Sequence, residues 1–110
     1  MNENPVRLVY CPCANQDEAR AIATAMVTRQ LAACANILPA IESIYRWEGS
    51  VATDAEVPLL FKTDAKHCSA LLEGIAALHS YDVPAIIAWD AADCPAGFRQ
   101  WLDGQLSGGA

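Results

Sequence analysis

Residues 35–63, ANILPAIESIYRWEGSVATDAEVPLLFKT, decide the fold. Ile37, Ile41, Ser43, Tyr45 and Trp47 recur at odd positions, the period of a strand with one face buried. Glu48-Gly49-Ser50 then reads as a hairpin turn, and the return strand spans about Val51 to Thr63. Pro39 predicts a kink or bulge in the outgoing arm, and Pro58 is awkward in a central returning arm because proline has no amide proton for the ladder. At roughly 3.3 Å per residue each arm reaches about 40 Å, twice the roughly 20 Å of an ordinary strand. The overhang carries Ile44, Tyr45 and Trp47, and a sister chain is its natural cover, since an exposed aromatic edge invites aggregation.

Working outward, Val6 to Cys11 predicts a first strand stopped by Pro12. Asn15-Gln16-Asp17-Glu18 resembles a capping box, and Ile22, Ala23, Met26, Val27, Leu31 and Cys34 extend a helical stripe over Asp17 to Cys34. Beyond the hairpin, Asp64 caps a second helix on which Cys68, Leu71, Leu72, Ile75, Leu78 and His79 share one face. Pro84 to Trp89 suits a strand covered on both sides or at an interface. Pro95 opens a short last helix with a Phe98, Trp101, Leu102, Leu106 stripe, before a Gly-rich frayed end. The order is βαββαβ plus a C-terminal helix. The expectation is therefore a single α+β, ferredoxin-like domain over residues 1–110, with helices on one face of an antiparallel sheet and an extended β2-β3 hairpin.

A chain of 110 residues can bury a core without disulfides or a structural metal. Its formal charge of -6 repels phosphate backbones and anionic lipid heads, so neither nucleic acid nor membrane is expected as a partner. The polar Met1 to Pro5 segment and the lack of a long apolar run predict a cytoplasmic location. Five cysteines, an odd number, are expected to be thiols in such a compartment. No glycine-rich phosphate loop, Gly-x-Ser-x-Gly or His-Glu-x-x-His occurs, and no acidic pair stands out, so neither an enzyme nor an organic cofactor is expected. Cys11-Pro12-Cys13 is not the Cys-x-x-Cys of a metallochaperone loop, and no basic aromatic RNA-binding strand is present.

Five blocks carry a resemblance. Leu31-Ala32-Ala33-Cys34-Ala35-Asn36-Ile37-Leu38-Pro39, Ser43-Ile44-Tyr45-Arg46-Trp47-Glu48-Gly49, Glu56-Val57, Lys62-Thr63 and His79-x-Tyr81-x-Val83-Pro84 together resemble the CutA divalent-cation tolerance family, in the family's order. The resemblance implies a cytoplasmic homotrimer of ferredoxin-like protomers, similar in architecture to PII signalling proteins, with a role in tolerance of copper and other heavy metals. It also implies copper ligands at Cys11 and His79, whose thiolate and imidazole suit soft and borderline metals. Cys13, two residues on, would face the same way in extended backbone and could complete the set. The alternative is that Cys11 is a small buried hydrophobe and His79 a helix C-terminal residue favoured by the dipole.

Tyr45, Trp47, Glu48, Glu56, Lys62 and Tyr81 are also shared with the family, either as a ligand cleft between subunits or as trimer-interface anchors. A rival function is therefore a PII-like signalling or scaffold trimer that binds a small ligand or a partner there, and a third is thiol redox chemistry at Cys11 and Cys13. Cys34 and Cys68 are expected to pack on apolar helix faces, Cys94 to sit in a loop, and His67 to be solvated. The chain departs from the family at Pro84-Ala85-Ile86, where many members have Pro-Glu-Ile, at Leu78, where they have a second histidine, and at Ser80 and Asp82.

Overall fold

The computed structural model describes residues 3–108. Its elements are β1 (Val6–Cys13), α1 (Gln16–Thr28), β2 (Cys34–Ile37), β3 (Ile41–Trp47), β4 (Ser50–Asp64), α2 (Ala65–Leu78), β5 (Ile87–Asp90) and α3 (Ala96–Gln105). The strand order is β2-β4-β1-β5, all neighbours antiparallel, with β3 paired to the first part of β4. This is the expected ferredoxin-like sheet, with its second strand in two pieces. The Gly-rich end expected beyond Leu106 lies largely outside the described residues.

Alternation decides which face meets the helices. Val9, Cys11 and Cys13 of β1 and Leu59 and Phe61 of β4 point to one side and are fully buried against Ile22 and Met26 of α1 and Leu71 and Ile75 of α2. The pairs Leu8↔Trp89, Tyr10↔Ile87 and Tyr10↔Leu60 place those five residues on the opposite side, where Ile87 and Trp89 are exposed. The sheet therefore has a second, apolar face that no helix among the described residues covers. A smaller cluster, Val6, Ala33, Leu102 and Leu106, seats α3, with Cys94 and Phe98 packed against it.

The prolines are accommodated by register. Pro12 does not stop β1: it lies opposite Pro58, and the carbonyls of the two point away from each other, to His79 and to the Leu38 amide. An antiparallel ladder alternates such non-bonded pairs with bonded ones, so neither proline withholds a donor from the other strand. Pro39 acts as expected, since residues 38–40 separate β2 from β3. The hairpin closes through Glu48 and Gly49, both left-handed at φ 48° and 82°, as in the two-residue turn that matches strand twist; Ser50 already belongs to β4. Among the described residues, the Ser50–Glu56 part of β4 pairs with β3 alone, and the longest dimension is 47 Å.

Three further expectations are corrected. α1 ends at Thr28 and not at Cys34, because Gln30 turns left-handed (φ 60°) and Ala33 already donates to the Lys62 carbonyl of the sheet. Leu31 still packs on the core after the helix has ended, so its apolar spacing records burial and not helix; Cys34 begins β2. The last strand starts at Ile87 and not at Pro84, and it is not covered on both sides: among the described residues it pairs with β1 alone, and Ile87 and Trp89 are exposed.

His67 is buried, not solvated: Nδ1 lies 2.7 Å from Asp64 Oδ1 and Nε2 2.5 Å from the Ser107 carbonyl. Asp64 caps α2 by accepting from the His67 amide at 2.9 Å, and Asn4 donates to its other oxygen. Burial works against the Asp64 charge, but the donors from His67 and Asn4 outweigh it and hold the carboxyl below its ordinary value of 3.8. A depressed folded pKa means that the contribution is present above the unfolded pKa and is lost as pH falls through the folded one. Asp64→Ala is thus expected to cost about 1–2 kcal/mol at neutral pH, the range for a lost helix cap. In denaturant melts the gap from the parent should narrow below pH 3.8; a constant gap would separate the cap from the charge.

Candidate functional site

The ends of β1 and α2 meet at a cluster of sulfur and imidazole. Cys11 and Cys13 are i and i+2 on β1, so both thiols face the helices, and both are fully buried. His79 follows the last turn of α2 in extended backbone, with its amide still bonded to the Ile75 carbonyl. Its ring returns to β1, with Nε2 2.9 Å from the Pro12 carbonyl. That bond carries the ring proton on Nε2, and Nδ1 accepts from the Tyr81 amide at 3.1 Å. The two sulfurs and an imidazole nitrogen all lie within 4.8 Å of one another. All three residues named from the sequence are thus brought together.

Glu18, which sequence reasoning placed only at a helix start, braces this cluster. One oxygen accepts from the Ala14 amide at 2.7 Å, the other from the Ser80 amide at 2.6 Å, and His79 Nδ1 lies 3.9 Å away. Burial pushes the Glu18 carboxyl up, but the Ala14 and Ser80 donors hold it below the ordinary range. The Cys11 thiol is pushed far up by its neighbour Cys13, by burial and by the negative charges of Glu18 and Glu56. A buried thiol in such a field is a poor nucleophile, which weighs against thiol redox chemistry. Two thiols with one imidazole nonetheless offer soft and borderline donors, the kind that suit soft metal ions once the thiol protons are displaced. Two metal-sulfur bonds of about 2.3 Å span at most about 4.6 Å, and the donor atoms here lie within 4.8 Å of one another.

A cleft of about 530 Å³ opens on the other side of Pro12, between the β3-β4 ribbon and residues 81–85. Ser43, Tyr45 and Trp47 line it from β3, and Asp54 and Glu56 from β4; the pairs Ser43↔Asp54 and Ile41↔Glu56 put these on one face of the ribbon. Tyr45 donates to Asp54, and Tyr81 donates to Glu56 at 2.9 Å. The Tyr81 ring also contacts His79, centroid to centroid 4.6 Å. The cleft and the Cys–His cluster are therefore adjacent.

Of the six residues named for a cleft or interface, Tyr45, Trp47, Glu56 and Tyr81 line the cleft. Glu48 is in the hairpin turn, and Lys62 is six residues up β4 from Glu56, bonded to Asn36 on the open sheet face; neither lines the cleft. Ser43, Asp54 and Asp82 line it and were not named. The first two were legible, since in a hairpin whose turn is known the residues facing Tyr45 and Trp47 follow from alternation. Asp82 lies in a loop, and no periodicity marks it.

Known proteins share this fold and much of this sequence. The family model for the CutA1 divalent ion tolerance protein matches residues 7–105. The divalent-cation tolerance protein CutA of Thermus thermophilus is 46% identical over 89 residues, 81% of this chain and 84% of that protein. The chloroplastic protein CutA 1 of Oryza sativa subsp. japonica is 41% identical over 98 residues, which are 89% of this chain and 55% of that one. The chain thus spans about half the length of this and the Arabidopsis thaliana relative. The crystal structure of CutA1 from Oryza sativa superposes with a TM-score of 0.92 at 38% identity, covering 94% of this chain and 95% of that one. Sequence and backbone agree along the same stretch, from β1 through α3. The chain belongs to the CutA1 divalent ion tolerance family.

Proposed function

We propose that this protein contributes to metal tolerance by binding a soft metal ion, copper in its reduced form above all, at Cys11, Cys13 and His79, and that it does so as a cytoplasmic homotrimer without catalysing a reaction. One observation carries the ion site: two thiols and an imidazole, donors of suitable softness, converge within 4.8 Å in a buried position, and His79 would give up one of its two ring hydrogen bonds to coordinate. The family's name, divalent ion tolerance, supports a role in handling metal ions in general. The open apolar sheet face, with Trp89 and Ile87, and the ribbon residues Ile44, Trp47 and Val51, 63–69% exposed, favour assembly with sister chains. A reducing cytoplasm keeps the thiols available.

Cu(I) titration of the reduced protein against a chromophoric chelator, with mass in solution measured in parallel, is expected to give one ion per chain in a trimer. Both thiol protons must leave for the ion to bind, so the affinity should rise with pH. No uptake at neutral or mildly alkaline pH would remove the ion site.

A further inference from the structure

The Cys11, Cys13 and His79 cluster is sealed. Both thiols and the His79 side chain are fully buried, so an ion or reagent in solution cannot touch them while the chain is closed. The sheet and helix walls are costly to move: β1 is paired with β4 along its whole length, and Ile22, Met26, Leu71 and Ile75 of the two helices are buried against it. Residues 79–86 are different, because they run from α2 to β5 outside any strand or helix. The start of this segment is tied down by side chains. The His79 ring donates to the Pro12 carbonyl at 2.9 Å, the Ser80 amide to Glu18 Oε1 at 2.6 Å, and the Tyr81 hydroxyl to Glu56 at 2.9 Å. A segment held by a few side-chain bonds opens at lower cost than a strand ladder or a packed helix.

We infer that residues 79–81 are a strap over the two thiols, latched by Glu18, and that an ion reaches Cys11 and Cys13 when this latch lets go, with the sheet and the helices still packed. One Glu18 oxygen accepts from Ala14, directly after β1, and the other from Ser80, directly after His79. A single carboxylate thus closes the gap between the strand that carries the thiols and the segment that carries the imidazole. Bonds to a charged acceptor are stronger than neutral ones, and the Glu18 side chain is only 12% exposed, so water competes poorly for it. Release of the Ser80 amide frees the backbone on either side of it, letting the ring leave Pro12 together with the Tyr81 amide that it holds. With both oxygens spent on amides, Glu18 is a positioning residue and not a ligand. The purpose of the strap rests on the ion site proposed above, but its geometry and its test need no metal.

The experiment is alkylation of the metal-free, reduced protein in its solution assembly by iodoacetamide at fixed pH, read at each cysteine by peptide mass spectrometry. When opening is in rapid equilibrium, each rate follows the open fraction. Ser80→Pro removes the amide that Glu18 holds and leaves the carboxylate in place; His79 is already extended at ψ 142°, as the residue before a proline must be. Cys11 and Cys13 should then react about tenfold faster or more, the order of one charge-assisted bond. Glu18→Gln breaks the same latch and also removes a negative charge that suppresses the Cys11 thiolate, so it should be faster still. Asp64→Ala is the control: it removes the cap at the far end of α2 and lowers global stability, yet should leave both rates as in the parent. Parental rates in Ser80→Pro would overturn the strap, as would equal acceleration by Asp64→Ala, since the thiols would then be reached by unfolding of the whole chain. Cu(I) uptake is measured on the same samples. Faster alkylation in a chain that takes up no Cu(I) would support the strap and remove the ion site, and parental alkylation beside normal uptake would do the reverse.

Discussion

Replacing both Cys11 and Cys13 by serine should weaken Cu(I) binding by well over about 100-fold, beyond the roughly 10–100-fold lost when a residue supporting a ligand is removed. The two thiols are the sulfur donors of the cluster, and a serine hydroxyl is too hard and too weakly acidic to replace a thiolate. The fold should survive, because serine is nearly the shape of cysteine and the carbonyls that now accept from the thiols, Pro12 for Cys11 and Cys11 for Cys13, can accept from hydroxyls. His79→Ala should cost less, about 10–100-fold, since two thiolates can hold a low-coordinate ion by themselves. Its loss also frees the Pro12 carbonyl and the Tyr81 amide, so the variant should also be less stable. Competition titration with near-ultraviolet circular dichroism as the folding control decides the matter. Parental affinity in a folded double-serine variant would place the ion elsewhere.

Trp47→Asp is expected to take the assembly apart into folded protomers. Trp47 lies beside the hairpin turn, 63% exposed, on a ribbon that pairs with no strand beyond β3 and β4, and it belongs to neither buried cluster. An isolated protomer therefore has little to lose, and its stability should move by no more than about 0.5 kcal/mol, as at ordinary surface positions. An interface loses far more: a buried tryptophan anchor is typically worth 2 kcal/mol or more, about 30-fold, and in a trimer the loss occurs three times with a desolvated carboxylate in each place. Sedimentation velocity at low micromolar concentration should show a trimer for the parent and monomer for the variant. A variant trimer of undiminished stability would show that the ribbon is not an interface element, and a monomeric parent would refute the assembly itself.

Much of this protein was legible because its signals are local or periodic. Alternation across Ile41 to Trp47 and left-handed Glu48-Gly49 fixed the hairpin; Asn15 with Glu18 and Asp64 with its helix fixed two helix starts. The pairing of Cys11 with Cys13 followed from the period of two. Errors arose where burial and secondary structure diverge. Leu31 and Cys34 continue the apolar spacing of α1 after its backbone has left the helix, and Pro12 and Pro58 look disruptive until each is seen opposite the other.

The sequence alone determined the βαββαβ order and the overlong ribbon, because turn chemistry, capping and the two periodicities act over a few neighbouring residues. Only the tertiary structure decided that His79 closes on the Cys11–Cys13 pair 66 residues away through the Pro12 carbonyl, that Glu18 braces it, and that Lys62 stands apart from the cleft. Those outcomes depend on strand register and on how α2 lies across the sheet, which are fixed by long-range packing; no spacing along the chain encodes them.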